Sequence, residues 1–254
     1  GLMPSTLGES LVLVVTLSMA LTPIGFWLLE HVLEPHWSER DERKFDTLED
    51  IPEHEVIIAG FGRVGQIIAR VLRVHRIQFV ALESSARQVD FVRRFGNQVF
   101  YGKLDNLALL EAAGAKKAKL LVLAIDDVEE SVRTAQIIRH YFPKLPIYAR
   151  ARDRMHAYRL MDLGISVIHR ETLGSSLEMA RDVLINIGFN QVNAELSVKR
   201  FREYDDQLMV RQQAIYQNET ALVESAKQAM QELEGLFESD SRAARRTTDE
   251  AENK

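Results

Sequence analysis

Short runs of consecutive apolar residues recur through the middle of the chain, separated by segments whose apolar positions return at helical spacing. Val56–Ala59, Phe79–Leu82, Gln98–Tyr101, Leu120–Ala124, Ile147–Arg150 and Ser166–His169 are the predicted strands. Their mostly unbroken apolar character is that of strands covered on both faces, as in a parallel sheet. Between the first two, Val64–Val74 predicts a helix with its apolar face at Ile67, Ile68, Val71 and Leu72. Asp127 with Glu130 forms a capping pair for a helix running through Ile138, which Pro143 and Pro146 stop before the fifth strand. Six strands with crossover helices between Glu55 and about Arg170 predict an α/β fold, a Rossmann-like doubly wound parallel sheet.

The flanks follow other patterns. Leu11–Leu29 carries no charge and is bounded by Glu9 and Glu30, which predicts one transmembrane helix, kinked near Thr22-Pro23. A signal peptide fits poorly, because no basic region precedes the run and no small-residue cleavage site closes it. Residues 34–54 read as a charged linker. Trp27 and Trp37 flank the membrane exit, and Arg40, Arg43 and Lys44 favour a cytoplasmic side. The sequence starts at Gly1, and is expected to be the C-terminal part of a polytopic membrane protein. Beyond the sheet the chain turns helical over 173–238. One apolar stripe is Leu173, Leu177, Ala180, Leu184 and Ile187; a second is Phe201, Tyr204, Leu208 and Ile215; a third is Leu222, Ala226, Met230, Leu233 and Phe237. With no second core to receive these stripes, a partner copy is the expected acceptor, giving a homodimer. Residues 239–254 lack large apolar side chains and predict a disordered tail.

The first strand ends in Gly60-x-Gly62-x-x-Gly65. Gly60 permits the turn, Gly62 lets backbone approach a pyrophosphate, and Gly65 allows the helix to pack on the strand, with its N-terminus facing the anion. Glu83 closes the second strand, where a carboxylate can accept from ribose hydroxyls. Together these residues predict a nucleotide site. The net charge of −5 excludes a general nucleic-acid binder. The absence of cysteine removes disulfides, thiolate metal sites and any reactive thiol of the protein itself. The seven histidines lack i, i+4 pairing, so no metal site is expected.

Gly60–Gln66, Val99–Gly102, Leu109–Ala115, Ala124–Asp127, Ala149–Asp153 and Arg170–Thr172 together resemble the Kef glutathione-regulated potassium efflux systems. The resemblance runs from about Pro52 to Phe237. It implies a cytoplasmic potassium-transport nucleotide-binding (KTN/RCK) domain at 55–172, following a transmembrane cation:proton antiporter in a bacterial inner membrane, of which residues 1–33 would hold the last helix. It further implies an adenine nucleotide, AMP or NAD(H), held by Gly60, Phe61, Gly62, Arg63, Val64, Gly65, Glu83, Lys103 and Asp126. Glutathione would contact Gln66, Arg70, Arg170 and Asp205 near a dimer interface. In such systems glutathione keeps transport closed, glutathione S-conjugates open it, and a flavodoxin-like ancillary oxidoreductase binds the domain. Asp205 stands where one subtype has asparagine and the other an acid; Lys103 replaces the aspartate expected after Tyr101-Gly102.

On the residues alone, Arg63, Gln66, Arg70 and Arg73 form a polar face of the first helix that also reads as a solvated basic stripe. Two arginines suit a tripeptide with two carboxylates, since each guanidinium can engage one bidentately. A protein without thiols senses electrophiles only through a ligand. Two alternatives stay open. One is an NAD-dependent dehydrogenase, for which neither a substrate domain nor a placed proton donor is visible; the other is a potassium-gating RCK domain without glutathione control.

Overall fold

The computed structural model describes residues 5–28, 54–96 and 98–252, with side chains at 13–25, 27–28, 54–96 and 98–235. The chain divides into two units, Gly1–Lys44 and Phe45–Lys254. The charged linker expected at 34–54 lies, apart from His54, outside the described residues.

In the first unit α1 (Ser5–Leu28) continues across Pro23, where a kink was expected; the Thr22 hydroxyl donates to Ser18 O at 2.7 Å, one turn back. No helix among the described residues is long and apolar enough to cross a membrane. This corrects the span expected at Leu11–Leu29. The helix begins at Ser5 and takes in Glu9, and its sequence carries Thr16, Ser18, Thr22 and Pro23 among the apolar residues.

The second unit is built on β1 (Val56–Ala59), β2 (Phe79–Glu83), β3 (Phe100–Tyr101), β4 (Leu120–Leu123), β5 (Ile147–Ala151) and β6 (Val167–Arg170). All pair in parallel, in the order β3-β2-β1-β4-β5-β6, so the direction of winding reverses between β1 and β4. Helices α2 (Arg63–Val74), α3 (Ala86–Arg93), α4 (Leu107–Ala112), α5 (Val128–Tyr141) and α6 (Arg154–Asp162) fill the gaps. Residues alternate between the two faces of the sheet. Ile57, Ala59, Val80, Leu82, Leu121 and Leu123 belong to one core cluster, with α4, α5 and α6. Ile58, Ala81 and Val122 belong to the other, with α2 and α3.

Several expectations shift for physical reasons. β3 keeps only Phe100 and Tyr101, because just Leu82↔Phe100 and Glu83↔Tyr101 pair there. α2 presents Gly65, Ile68, Ala69 and Leu72 to the sheet, leaving Ile67 at 61% and Val71 at 55% exposed. Gly65 decides this, since the helix can approach β1 closely only along that side. Asp127 caps α5 by accepting from Glu130 N at 2.7 Å, but the Glu130 carboxylate accepts from the Ser84 hydroxyl at 3.2 Å instead of reaching back.

The helical extension is α7 (Leu173–Asn186), α8 (Gln191–Gln213) and α9 (Glu219–Glu252). α9 passes Ser239, where a disordered tail was expected; Ala243, Ala244 and the neighbouring Arg and Glu are good helix formers. Leu208 and Met209 are buried within the chain, whereas Ala180, Ile187, Ala226 and Met230 are exposed, so the expected stripes on α7 and α9 are only partly the packing faces.

His156 is 1% exposed in α6; its Nδ1 accepts from Arg152 N at 3.2 Å and its Nε2 meets Ser131 Oγ of α5 at 3.1 Å. Burial pushes its pKa below the ordinary 6.5. The unfolded chain therefore binds the proton more readily, and stability present above pH 6.5 is lost as pH falls from there through the lower folded value. Denaturant unfolding at pH 7.5 and 5.5 is expected to show this loss, and His156→Gln to reduce it.

Candidate functional site

The turn after β1 opens a crevice at the reversal of winding, where open α/β sheets take ligands. Gly60 has φ of +94°, and a Cβ on it would lie 2.7 Å from Ala124 C and Ile125 N. A Cβ on Gly65 would lie 2.2 Å from Gly60 O, so helix and turn are in backbone contact. A Cβ on Gly62 would meet nothing, because that position faces the open cleft. The cleft has a volume of about 720 Å³.

Glu83 is nearly buried. Its Oε2 accepts from Phe61 N at 2.8 Å and its Oε1 from Ser85 N at 2.9 Å. These bonds fix the carboxylate at the cleft edge, and each oxygen keeps a lone pair for a hydroxyl. Of the nucleotide residues expected, Gly60, Gly62, Arg63, Val64, Glu83 and Asp126 line the cleft. Phe61 has its side chain in the core and offers only backbone, and Gly65 is a packing residue. Lys103 is exposed and outside the lining, which takes its neighbour Leu104 instead.

An ionic chain that sequence reasoning missed crosses the crevice. Arg63 of α2 reaches Glu171 Oε1 at 3.0 Å; the other Glu171 oxygen accepts from Arg150 of β5, which also donates to Asp126 Oδ1 at 2.5 Å and to Ile125 O at 3.1 Å. Hydrogen bonding to Arg150 holds the Asp126 carboxyl below its usual range. Burial works against the charge on Arg150, but its two carboxylate bonds outweigh this and raise its pKa. Arg150 Nε is buried without a partner among the described residues.

A second cluster joins sheet to extension. Asp205 of α8 accepts from Arg170 at the end of β6 on one oxygen and from Arg154 of α6 on the other, with only 3% of its side chain exposed. Arg154 Nη1 also donates to Gln212 Oε1 at 3.2 Å, and the Tyr158 hydroxyl donates to the same oxygen at 3.0 Å. Of the residues expected to contact glutathione, Arg170 and Asp205 are thus brought together. Gln66 instead lines the nucleotide cleft, where its Nε2 donates to Phe61 O at 3.2 Å. Arg70 is exposed on α2, without an ion-pair partner among the described residues. Arg154 follows directly on the Ala149–Asp153 motif, and nothing in the sequence singled it out.

This sheet order, with the glycine turn and its terminal acid, defines a Rossmann-type domain of the TrkA-N class; residues 56–171 match the TrkA-N domain family. Residues 175–253 match the potassium efflux system KefB C-terminal domain. Among solved structures, the Kef CTD of Shewanella denitrificans in AMP-bound form is 37% identical, with a TM-score of 0.57, over 63% of this chain and 98% of that one. The TrkA-N domain of the inner membrane protein ybaL from Escherichia coli is 27% identical over 53% of this chain and 96% of that one, with a TM-score of 0.45. The GsuK channel bound to NAD is 21% identical over 69% and 33%, with a TM-score of 0.46. The chain belongs to the Kef family of potassium efflux systems, as its KTN/RCK C-terminal domain, a regulatory domain of potassium transport.

Proposed function

We propose that the chain is the gating part of a potassium:proton antiporter of the bacterial inner membrane, closed by glutathione and opened by glutathione S-conjugates. The observation that carries this reading is the convergence of Arg170 and Arg154, from the nucleotide-binding fold, on Asp205 of the helical extension. A ligand carboxylate that takes Arg170 from Asp205 loosens one joint of that connection, which is how binding energy becomes a change of state. A bulky S-substituent then supplies the differential affinity for two states without which no ligand shifts an equilibrium.

The cleft holds an adenine nucleotide; the relative described as AMP-bound supports this, as does the open backbone at Gly62. A second copy covers the exposed Met179 and Val183 of α7, Ile187 just beyond it, and Val192 and Leu196 of α8, forming a homodimer. The family resemblance supports a flavodoxin-like ancillary subunit and the attached antiporter domain. Titration of the nucleotide-loaded protein with glutathione and with an S-alkyl adduct is expected to give competing, saturable binding. Failure of both to bind favours potassium gating without glutathione. Purified protein is expected to release adenine nucleotide on denaturation, and steady NADH oxidation with a carbonyl substrate would overturn the regulatory reading.

A further inference from the structure

The two ends of the sheet carry opposite charge. Glu83, Asp126, Asp127, Glu130 and Glu171 line the cleft at the strand ends. At the strand starts a separate cavity of about 780 Å³ opens between the end of α2, the turn after α4 and the residues just ahead of β1, β2 and β4. Its charged lining is Arg76, Lys116, Lys117 and Lys119 with Glu55 and Glu111, four cations and two carboxylates, a net +2 in a chain of net −5. Backbone bonds hold the strand starts together: Glu55 N donates to Gln78 O at 3.1 Å and Lys119 N to Glu55 O at 2.8 Å. Lys119 meets Glu55 at 3.0 Å and Lys116 meets Glu111 at 2.7 Å, exposed pairs that contribute little and that another anion can open. Arg76 and Lys117 are exposed and make no ion pair among the described residues.

Arg76 stands out on this rim. Its φ is 57°, and it closes α2: its N donates to Arg73 O and Ile77 N donates to Leu72 O, each at 3.0 Å. Glycine is the usual residue at such a position, so an arginine strains the backbone while placing a cationic side chain at the cavity. Val74, 80% exposed, ends the same helix two residues earlier.

We propose that this end of the domain binds the surface of a bilayer containing anionic phospholipid, with a headgroup phosphate in the cavity lined by Arg76 and Lys117 and with Val74 entering the interface. Cations on long flexible stems spread along a rim suit a layer of phosphates, whereas a single dissolved anion is held by fixed donors converging on one point. An exposed apolar side chain accompanies them, which a dissolved anion would leave in water. Potassium efflux is transport across a bilayer, so a surface of this chemistry is at hand. The acids at the cleft end are repelled by that surface, so binding turns the cleft away from the membrane.

The test is co-sedimentation of the full chain with vesicles of phosphatidylcholine and of an equal mixture with phosphatidylglycerol. The wild type is compared with Arg76→Gly/Lys117→Gln and with a control, Lys199→Gln/Lys227→Gln, which removes the same charge from exposed positions of α8 and α9. Glycine accepts the φ at position 76, so the first variant keeps the fold. Any binding that α1 contributes is common to all three proteins. The wild type is expected to prefer the mixed vesicles and to lose that preference as salt rises. The Arg76/Lys117 variant is expected to bind them roughly twentyfold more weakly, about fivefold for each cation removed, and the control to bind as wild type does. An equal loss in the control reduces the effect to net charge and overturns the proposal. Unchanged binding by the folded Arg76/Lys117 variant also overturns it, leaving these cations as partners of the carbonyls that end α2 and α4. Release of the wild type from mixed vesicles by inorganic phosphate at fixed ionic strength makes the cavity a site for a dissolved anion and overturns it as well.

Discussion

Replacing Gly65 by alanine is expected to leave the chain unable to fold, whereas Gly62→Ala keeps the fold and loses the nucleotide. The two glycines sit three residues apart on the same turn, yet their surroundings are opposite. A Cβ at Gly65 would lie 2.2 Å from Gly60 O, 3.3 Å from Gly60 C and 3.4 Å from Ile58 Cγ2. The first two are backbone atoms of the turn, which Gly60 holds at a φ of +94° between Ala124 and the cleft. Relief therefore requires α2 to lift from β1, exposing the core cluster around Ile58 and Ala69. Overpacking and lost burial of this kind cost several kcal/mol, against a total stability of about 5–15 kcal/mol. At Gly62 the added methyl meets nothing and φ is −74°, which alanine adopts without strain. It would occupy the space a phosphate needs to reach the helix N-terminus. Thermal unfolding and the nucleotide released on denaturation separate the two effects. A Gly65→Ala protein melting within a few degrees of wild type would disprove the close approach, and a nucleotide-loaded Gly62→Ala protein would move the phosphate elsewhere.

The sheet was legible in the sequence because its central strands are apolar runs, as in Val56–Ala59 and Leu120–Leu123, and the glycine pattern marks the winding reversal. The direction each helix faces was less so. In α2 the positions Ile67, Ile68, Val71 and Leu72 are all apolar, and periodicity alone cannot say which ridge is inside; contact with Gly65 selects Ile68 and Leu72. The ionic chain of Arg63, Glu171, Arg150 and Asp126 draws on three separate strand ends and a helix, so no spacing along the chain announces it. Buried polar residues mislead in the same way. Asp205 and Gln212 of α8 look like solvated positions in a hydrophilic helix, but lie inside because Arg154, Arg170 and Tyr158 supply their partners. Family resemblance made Arg170 and Asp205 expected ligand contacts, and their direct pairing could be seen only in three dimensions.

That pairing changes what substitution at the proposed glutathione site should do. Arg170→Ser is expected to weaken glutathione binding roughly ten- to a hundredfold, since a charge-assisted contact contributes about 1.5–3 kcal/mol. Arg70 is exposed, so its contact is screened and Arg70→Ser should cost less than about tenfold. Asp205 gives the sharper test, because its sign is open to experiment. Both of its oxygens already accept from arginines, and a ligand carboxylate must compete with it for Arg170. Asp205→Asn removes the competing charge while keeping an acceptor, so it should tighten glutathione binding severalfold. It should also lower stability, because two guanidinium groups lose their buried counter-ion. In cells carrying the whole transporter, Arg170→Ser should raise potassium leak and blunt the response to electrophiles, while Asp205→Asn should lower the leak. Weaker glutathione binding in a folded Asp205→Asn protein would make Asp205 a direct ligand contact and remove it as a competitor. Undiminished binding in Arg170→Ser would place the glutathione site away from the joint between β6 and α8.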